Sequence, residues 1–245
     1  SKVAKNINEG VLGIKPKKRT IIYNGTSEDV NFKNHTYDDG VHYVHACQKA
    51  FPMRRIDRLL EVWVNFVKDR PNAFLHLIHD RNEEFDMPIL NTTNVIVHDI
   101  MEEEELNGFI KNAHACISIK YQDSCPNFIL ESIACGTPVI TSNTNGLNEL
   151  LTKPQLIVSE IDPYFTYSKQ KWSKPPFYNS NHLFSSLKFV YDNCKQTIKL
   201  PYCVNIEFTA KSYLEFFYEL LTQKRTNVFL DRCLILTVLK KLKFI

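Results

Sequence analysis

Glycine is scarce in this sequence, with seven in 245 residues. They form neither a Gly-x-Gly-x-x-Gly nor a Walker-type loop, so the glycine-rich cradles that many nucleotide-binding folds use for phosphate are excluded. Cysteine is present seven times (47, 116, 125, 135, 194, 203 and 233), an odd count without a Cys-x-x-Cys pair. That scatter argues against a disulfide framework or a zinc site and suits free thiols in a reducing compartment. No apolar run approaches the ~20 residues of a membrane helix, and the first residues are polar rather than signal-like. Charge of one sign is also lacking. Thirty Lys and Arg against 27 Asp and Glu give a net charge of +3, too little to argue for nucleic acid. No Asp-x-Asp metal motif occurs.

What is present is an alternation. Apolar residues at 56, 59, 60, 63, 66 and 67 form a helical stripe, so Ile56–Val67 is expected as an amphipathic helix. Strands are expected at Val41–Cys47, Ala73–Ile78, Asn94–Val97, Ala115–Ile119, Pro138–Thr141 and Gln155–Val158. Helices are expected at Leu106–Ala113, Pro126–Cys135 and Leu147–Leu151. Glu102–Glu105 would place negative charge at the start of the first of these, where the helix dipole favours it. A Pro-, Tyr-, Lys- and Ser-rich loop at 161–180 precedes two further helices at about 181–196 and 208–223. Ahead of the first strand lie a short extended piece at Thr20–Tyr23, an Asn24-Gly25 turn and a polar, irregular stretch at 26–40.

This order predicts an α/β fold, a doubly wound, Rossmann-like parallel sheet with helices on both faces. The expected organisation is a linker and lead-in at 1–40, one domain at 41–224 and a tail at 225–245. The tail ends in "LILTVLKKLKFI", amphipathic enough to pack on another domain or to lie on an anionic membrane surface.

In an open parallel sheet, ligands bind at the carboxyl ends of the strands. Lys120–Cys125 falls at one such end, and Pro126 suits the first turn of the helix that follows. Free amides near Ser124, Cys125, Pro126 and Asn127 would point into the crevice and suit anionic or hydroxyl-rich ligands. Asp123 stands just before the helix. Glu131 lies four residues past Asn127, hence on the same face. Gly136 should end the helix and Pro138 prevent its continuation. A lone Glu on an apolar helix is more commonly solvated or ion-paired. The succession of strand, Asp123, helix start, Glu131, Ala-Cys-Gly-Thr-Pro turn and strand favours a ligand site.

The segment "DSCPNFILESIACGTPVITSNTNGLNELL" resembles the signature of retaining glycosyltransferases of the GT-B fold, the family-four type. That signature has an acid, seven intervening residues and a Glu, followed by Ala-Cys-Gly-Thr-Pro-Val. The usual first acid is Glu, and here it is Asp123. The usual Gly-Phe-Gly or Gly-Phe-Pro is Ser124-Cys125-Pro126, and the later Gly-Gly turn is Asn145-Gly146. Upstream, "QKAFPMRRIDRLLEVW" is similar to the stretch Gly-Arg-x-x-x-x-Lys-Gly, with Lys49 at the Arg position and Arg54 at the Lys position. "LHLIHD" corresponds to the strand that normally ends in Gly-Asp-Gly, and "FTAKSYLEFFYELL" to the closing helix. The resemblance runs over roughly residues 20–222 and is strong only at 115–151.

The resemblance implies the C-terminal, donor-binding half of a GT-B enzyme that transfers a hexose from a GDP- or UDP-linked sugar with retention. Glu131 would hold the donor's ribose hydroxyls and Asp123 the hydroxyls of the transferred sugar. Amides from Ser124 to Asn127 would steady sugar and diphosphate, and Lys49 and Arg54 would stabilise the departing diphosphate. No cofactor and no metal are implied, and the base would sit near His98–Ile100. Expected partners are the donor and a sugar, lipid-linked or protein-linked glycan acceptor. An N-terminal GT-B domain, in the same or another chain, is also expected, because these 245 residues leave room for one half only. Nucleic acid is not expected, and the location implied is cytoplasmic, with peripheral membrane contact left open. A non-catalytic nucleotide-sugar-binding or scaffolding module remains an alternative, as does an epimerase or phosphorylase.

Other candidates carry less. His42 and His45, like His76 and His79, are three apart, and on strands that spacing puts them on opposite faces, against a metal site. Cys125 sits at a helix start, which lowers a thiol pKa, yet no partner His is placed beside it. "KPKKR" at 15–19 reads as a solvated linker rather than a nucleic-acid patch.

Overall fold

The computed structural model describes residues 22, 24–27, 30–47, 56–79, 92–119, 127–143, 157–158, 179–193 and 205–222. Within them lie six strands: β1 (Val41–Cys47), β2 (Ala73–His79), β3 (Val95–His98), β4 (Ala115–Ser118), β5 (Val139–Ser142) and β6 (Ile157–Val158). Five helices accompany them: α1 (Ile56–Val67), α2 (Glu103–Asn112), α3 (Asn127–Ala134), α4 (Ser180–Asn193) and α5 (Ile206–Thr222). The strands form one sheet in the order β3-β2-β1-β4-β5-β6, each paired parallel to its neighbour. The expected doubly wound α/β architecture is the one observed.

Strands covered on both faces need apolar side chains on both, and these sequences supply them. Every residue of "ACIS" in β4 and "VITS" in β5 is buried. Two cores result. On one face, Tyr43, Leu75 and Ile117 meet Trp63 and Phe66 of α1 and Leu183 and Leu187 of α4. On the other, Val44, Ile78, Cys116 and Val139 meet Ile110 of α2 and Ile129 and Ile133 of α3. Tyr43 also donates its hydroxyl to the carbonyl of Leu187 at 2.7 Å, stitching β1 to α4 across the first core.

Element boundaries follow the sequence closely, with one informative shift. α2 begins at Glu103 rather than at Leu106, so Glu103, Glu104 and Glu105 form its first turn. Their charge opposes the positive end of the helix dipole, and Glu102 at the N-cap makes no side-chain capping bond. Only Ile22 of the extended piece at Thr20–Tyr23 is described. The helix expected at Leu147–Leu151 and the tail lie outside the described residues.

Residues 30–40 carry no helix or strand, yet they run closely across α2. Lys33 N–H donates to Glu104 O at 2.8 Å, and Asn107 Nδ2 to Asn31 O at 3.0 Å. Tyr37 donates its hydroxyl to Phe109 O at 2.9 Å. Gly108 makes this approach possible, because a Cβ there would lie 2.0 Å from Lys33 O. Further upstream, Thr26 bridges Asn205, and its carbonyl accepts from Ile206 N–H at the start of α5.

Candidate functional site

The strand order has one reversal, between β1 and β4. From β1 the chain turns towards α1 on one face of the sheet, and from β4 it turns towards α3 on the other. The two connections part at the carboxyl ends of adjacent parallel strands, and such a switch point opens the crevice in which doubly wound sheets bind ligands. Tyr43 opposite Ala115 and Val44 opposite Cys116 fix the register of the pair.

α3 is built to present one ridge at this place. Ile129, Leu130 and Ile133 are buried against the sheet. Asn127, Glu131 and Cys135, each four residues apart, form a ridge outside that buried face, with Asn127 exposed and Glu131 half-buried. The expectation that Asn127 and Glu131 share a face therefore holds. Cys135 Sγ lies 4.0 Å from Asn107 O, so the ridge is turned towards α2. Burial pushes the Cys135 thiol up to about 11; Lys111 of α2 pulls it down and Glu131 pushes it further up, which places both charges beside it. α3 ends as expected. Gly136 takes a left-handed φ of 80°, its N–H reaches Ile133 O and the N–H of Thr137 reaches Ser132 O, both at 2.9 Å. That pair of bonds is a Schellman cap, and it starts β5.

Lys49, Arg54, Asp123, Ser124, Cys125 and Pro126 lie outside the described residues. Chain order attaches them to the flanks of the switch. Lys49 and Arg54 fall between the end of β1 at Cys47 and the start of α1 at Ile56. Asp123 to Pro126 fall between the end of β4 at Ser118 and the start of α3 at Asn127. At His98–Ile100, where the base was expected, His98 closes β3 at the sheet's edge and Asp99 and Ile100 follow it, with Ile100 51% exposed and its N–H bonded to Asp99 Oδ1 at 2.8 Å.

The histidine pairs fall on opposite faces as expected. His42 and His76 share the face of Val44 and Ile78, while His45 and His79 alternate to the other. Among the described residues no group of three or more His, Cys, Asp or Glu is placed to hold a metal ion. What the spacing did not announce is that His42, His76 and His98 join across three strands in a hydrogen-bonded string. Such a string becomes visible only once strand order and register are known.

A parallel, doubly wound sheet with a helix rising from its switch point defines a Rossmann-like α/β domain. The sequence profile of the glycosyl transferases group 1 matches residues 42–164, half of the chain, and the protein belongs to that family. No curated protein matches the chain by sequence. Solved structures with the same fold include a glycosyltransferase from Rickettsia africae, 14% identical with a TM-score of 0.69, covering 91% of this chain and 63% of its own. A sucrose-phosphate synthase from Thermosynechococcus elongatus is 15% identical with a TM-score of 0.64, covering 91% and 58%. The lipopolysaccharide outer core galactosyltransferase WaaB is 16% identical with a TM-score of 0.61, covering 89% and 60%. The chain thus spans about three-fifths of the length of these structures. No described helix is long and apolar enough to cross a membrane.

Proposed function

We propose that this chain is the donor-binding, C-terminal half of a GT-B glycosyltransferase that moves a hexose from a GDP- or UDP-linked sugar with retention of configuration. The observation that carries the reading is the Asn127–Glu131 ridge, which rises from the switch point of a sheet whose family is that of the group 1 glycosyltransferases. A carboxylate accepts from two adjacent hydroxyls at once, so Glu131 holds the ribose diol of the donor. Asp123 holds hydroxyls of the transferred sugar. Backbone amides from Ser124 to Asn127 steady the sugar and diphosphate at the helix N-terminus.

Negative charge grows on the diphosphate as the glycosidic bond breaks, and Lys49 and Arg54 meet it there. Two fixed cations make transfer independent of added metal. The base lies near His98–Ile100. The acceptor, a sugar or a lipid- or protein-linked glycan, is brought by an N-terminal domain in the same or another chain, on the cytoplasmic side. A neighbour of this fold is described as the GtfA/B complex, which lends support to a partner in a second chain.

Calorimetry of the chain with GDP-mannose, UDP-glucose and UDP-N-acetylglucosamine tests the reading. One donor should bind, and Glu131→Ala should weaken it by ~10- to 150-fold, the loss of a hydrogen bond to a charged group. Failure of all three to bind, or binding indifferent to Glu131→Ala, refutes it. The Asp at 123 and the exchanged cations at 49 and 54 favour one second reading, a module that binds the donor without transfer. Donor binding without transfer once the N-terminal domain is supplied would select that module.

A further inference from the structure

α5 differs from the other helices in what it buries. α4 seals Leu183, Leu187 and Val190 into the domain. Among the described residues of α5 only Thr209 is buried, and none enters either core. Ile206, Ala210, Tyr213, Phe217 and Leu220 recur at intervals of four and three, the spacing of one helical stripe. A stripe of this kind faces a partner in a folded domain. Here Ile206 is 46% and Tyr213 41% exposed, and Tyr218 on the flank is 65% exposed. The rings of Tyr213 and Phe217 lie side by side, with centroids 6.0 Å apart.

The lead-in supports the start of this helix. Thr26 O accepts from Ile206 N–H at 2.9 Å, and Gly25 lies flat on the first turn, where a Cβ would come within 2.7 Å of Ile206 Cα and 2.8 Å of Thr209 Oγ1. Thr209 is thus covered, and the stripe runs on past it with Tyr213 open to solvent.

Charge and length identify an occupant. α5 carries Glu207, Glu215 and Glu219 against Lys211 alone, a net charge of −2. The residues that follow it, 223–245, carry six Lys and Arg (224, 225, 232, 240, 241 and 243) against Asp231, a net charge of +5. Val228, Ile235, Leu239 and Leu242 are spaced by seven, four and three, so residues 228–245 present an apolar stripe of their own in helical form. As a helix they would span about 27 Å, against about 26 Å for α5. The connection at 223–227, "QKRTN", has the length that joins antiparallel helices. Folded back from it, the tail would set Lys243 near Glu207 and residues 234–240 opposite Tyr213. A second copy would instead bring two acidic helices together, and an anionic membrane would repel α5. The short tether adds an effective concentration on the order of millimolar, which a partner in another chain lacks.

We propose that α5 is a docking helix for the chain's own tail: residues 228–245 fold back along it as an antiparallel helix and cover the stripe from Ile206 to Leu220. The inference is independent of the donor site, and donor calorimetry neither supports nor weakens it.

Cross-linking in the full chain reads the occupant directly. With p-benzoylphenylalanine in place of Tyr213, irradiation should join position 213 to residues 234–240 of the same chain, read by peptide mass spectrometry. Capture of another segment, of a second copy or of nothing overturns the proposal. Hydrogen exchange provides a second readout. Ile235→Asp with Leu239→Asp puts charge on the covering face, so α5 amides from Tyr213 to Leu220 should exchange at least about tenfold faster while β1, β2 and β4 keep their protection. Unchanged exchange in α5 overturns the proposal. So does wild-type protection of 228–245 that arises only with phosphatidylserine vesicles, the result expected of a membrane-bound tail.

Discussion

Alanine at position 108 sets two well-characterised effects against each other, and the structure decides the sign. Inside a helix, Gly→Ala normally stabilises by ~1 kcal/mol. Gly108, however, sits mid-way along α2, where a Cβ would lie 2.0 Å from Lys33 O and 3.2 Å from Lys33 C. The obstacle is backbone rather than the far end of a flexible side chain, so residues around Lys33 must move by more than an ångström. That movement threatens three bonds: Lys33 N–H to Glu104 O, Asn107 Nδ2 to Asn31 O, and Tyr37 Oη to Phe109 O. At ~0.5–1.5 kcal/mol each their loss costs ~1.5–4.5 kcal/mol, which the helical gain offsets only in part. Gly108→Ala should therefore destabilise the chain by ~1–3 kcal/mol in urea unfolding, with faster exchange at the Lys33 amide. A variant as stable as the wild type, or more so, would show that the lead-in segment does not rest on α2.

Three further substitutions or probes check other joints. Asn94 holds a φ of 60° and donates its side-chain amide to Pro71 O and Ala73 O, at 2.7 and 2.9 Å. Asn94→Gly loses the bonds alone, whereas Asn94→Ala adds a left-handed strain and should be less stable by a further ~1 kcal/mol. Tyr43→Phe removes the 2.7 Å bond to Leu187 O and should cost ~1 kcal/mol in denaturant unfolding; no loss would mean that α4 is not seated on β1 as described. Cys116 is wholly buried, and burial pushes its thiol up to about 12. It should resist iodoacetamide at pH 7.5 until the chain unfolds, a result read by peptide mass; early labelling would contradict its place in the second core.

Much of the fold was legible because the determinants are local. The stripe from Ile56 to Val67 and the apolar runs at 41–47, 73–79 and 115–118 state their own period, and Gly136 with Pro138 states where α3 must stop. The same holds for Glu131. Its spacing from Asn127 puts the two on one ridge whatever the rest of the chain does. Rules of helix starts fared less well at α2, where an uncapped acidic turn extends the helix beyond its first apolar residue.

The histidine string was illegible for a different reason. His42 and His76 are 34 positions apart, and nothing near either residue points to the other. They meet because Val44 pairs with His76 while His42 pairs with Phe74, which makes the two imidazoles diagonal neighbours on one face of the sheet. His98 joins them because it lies opposite Ile78, again one diagonal step away. A slip of one residue in either pairing would turn a histidine to the opposite face and into the apolar cluster around Trp63. Each contact in the string is therefore a statement about register, and a register is a property of two strands that a single stretch of sequence does not contain. The same logic makes the string a sensitive reporter. Its three rings come within hydrogen-bond distance of one another only if β1, β2 and β3 are aligned as described, so ring-nitrogen NMR of the string tests the register of the sheet.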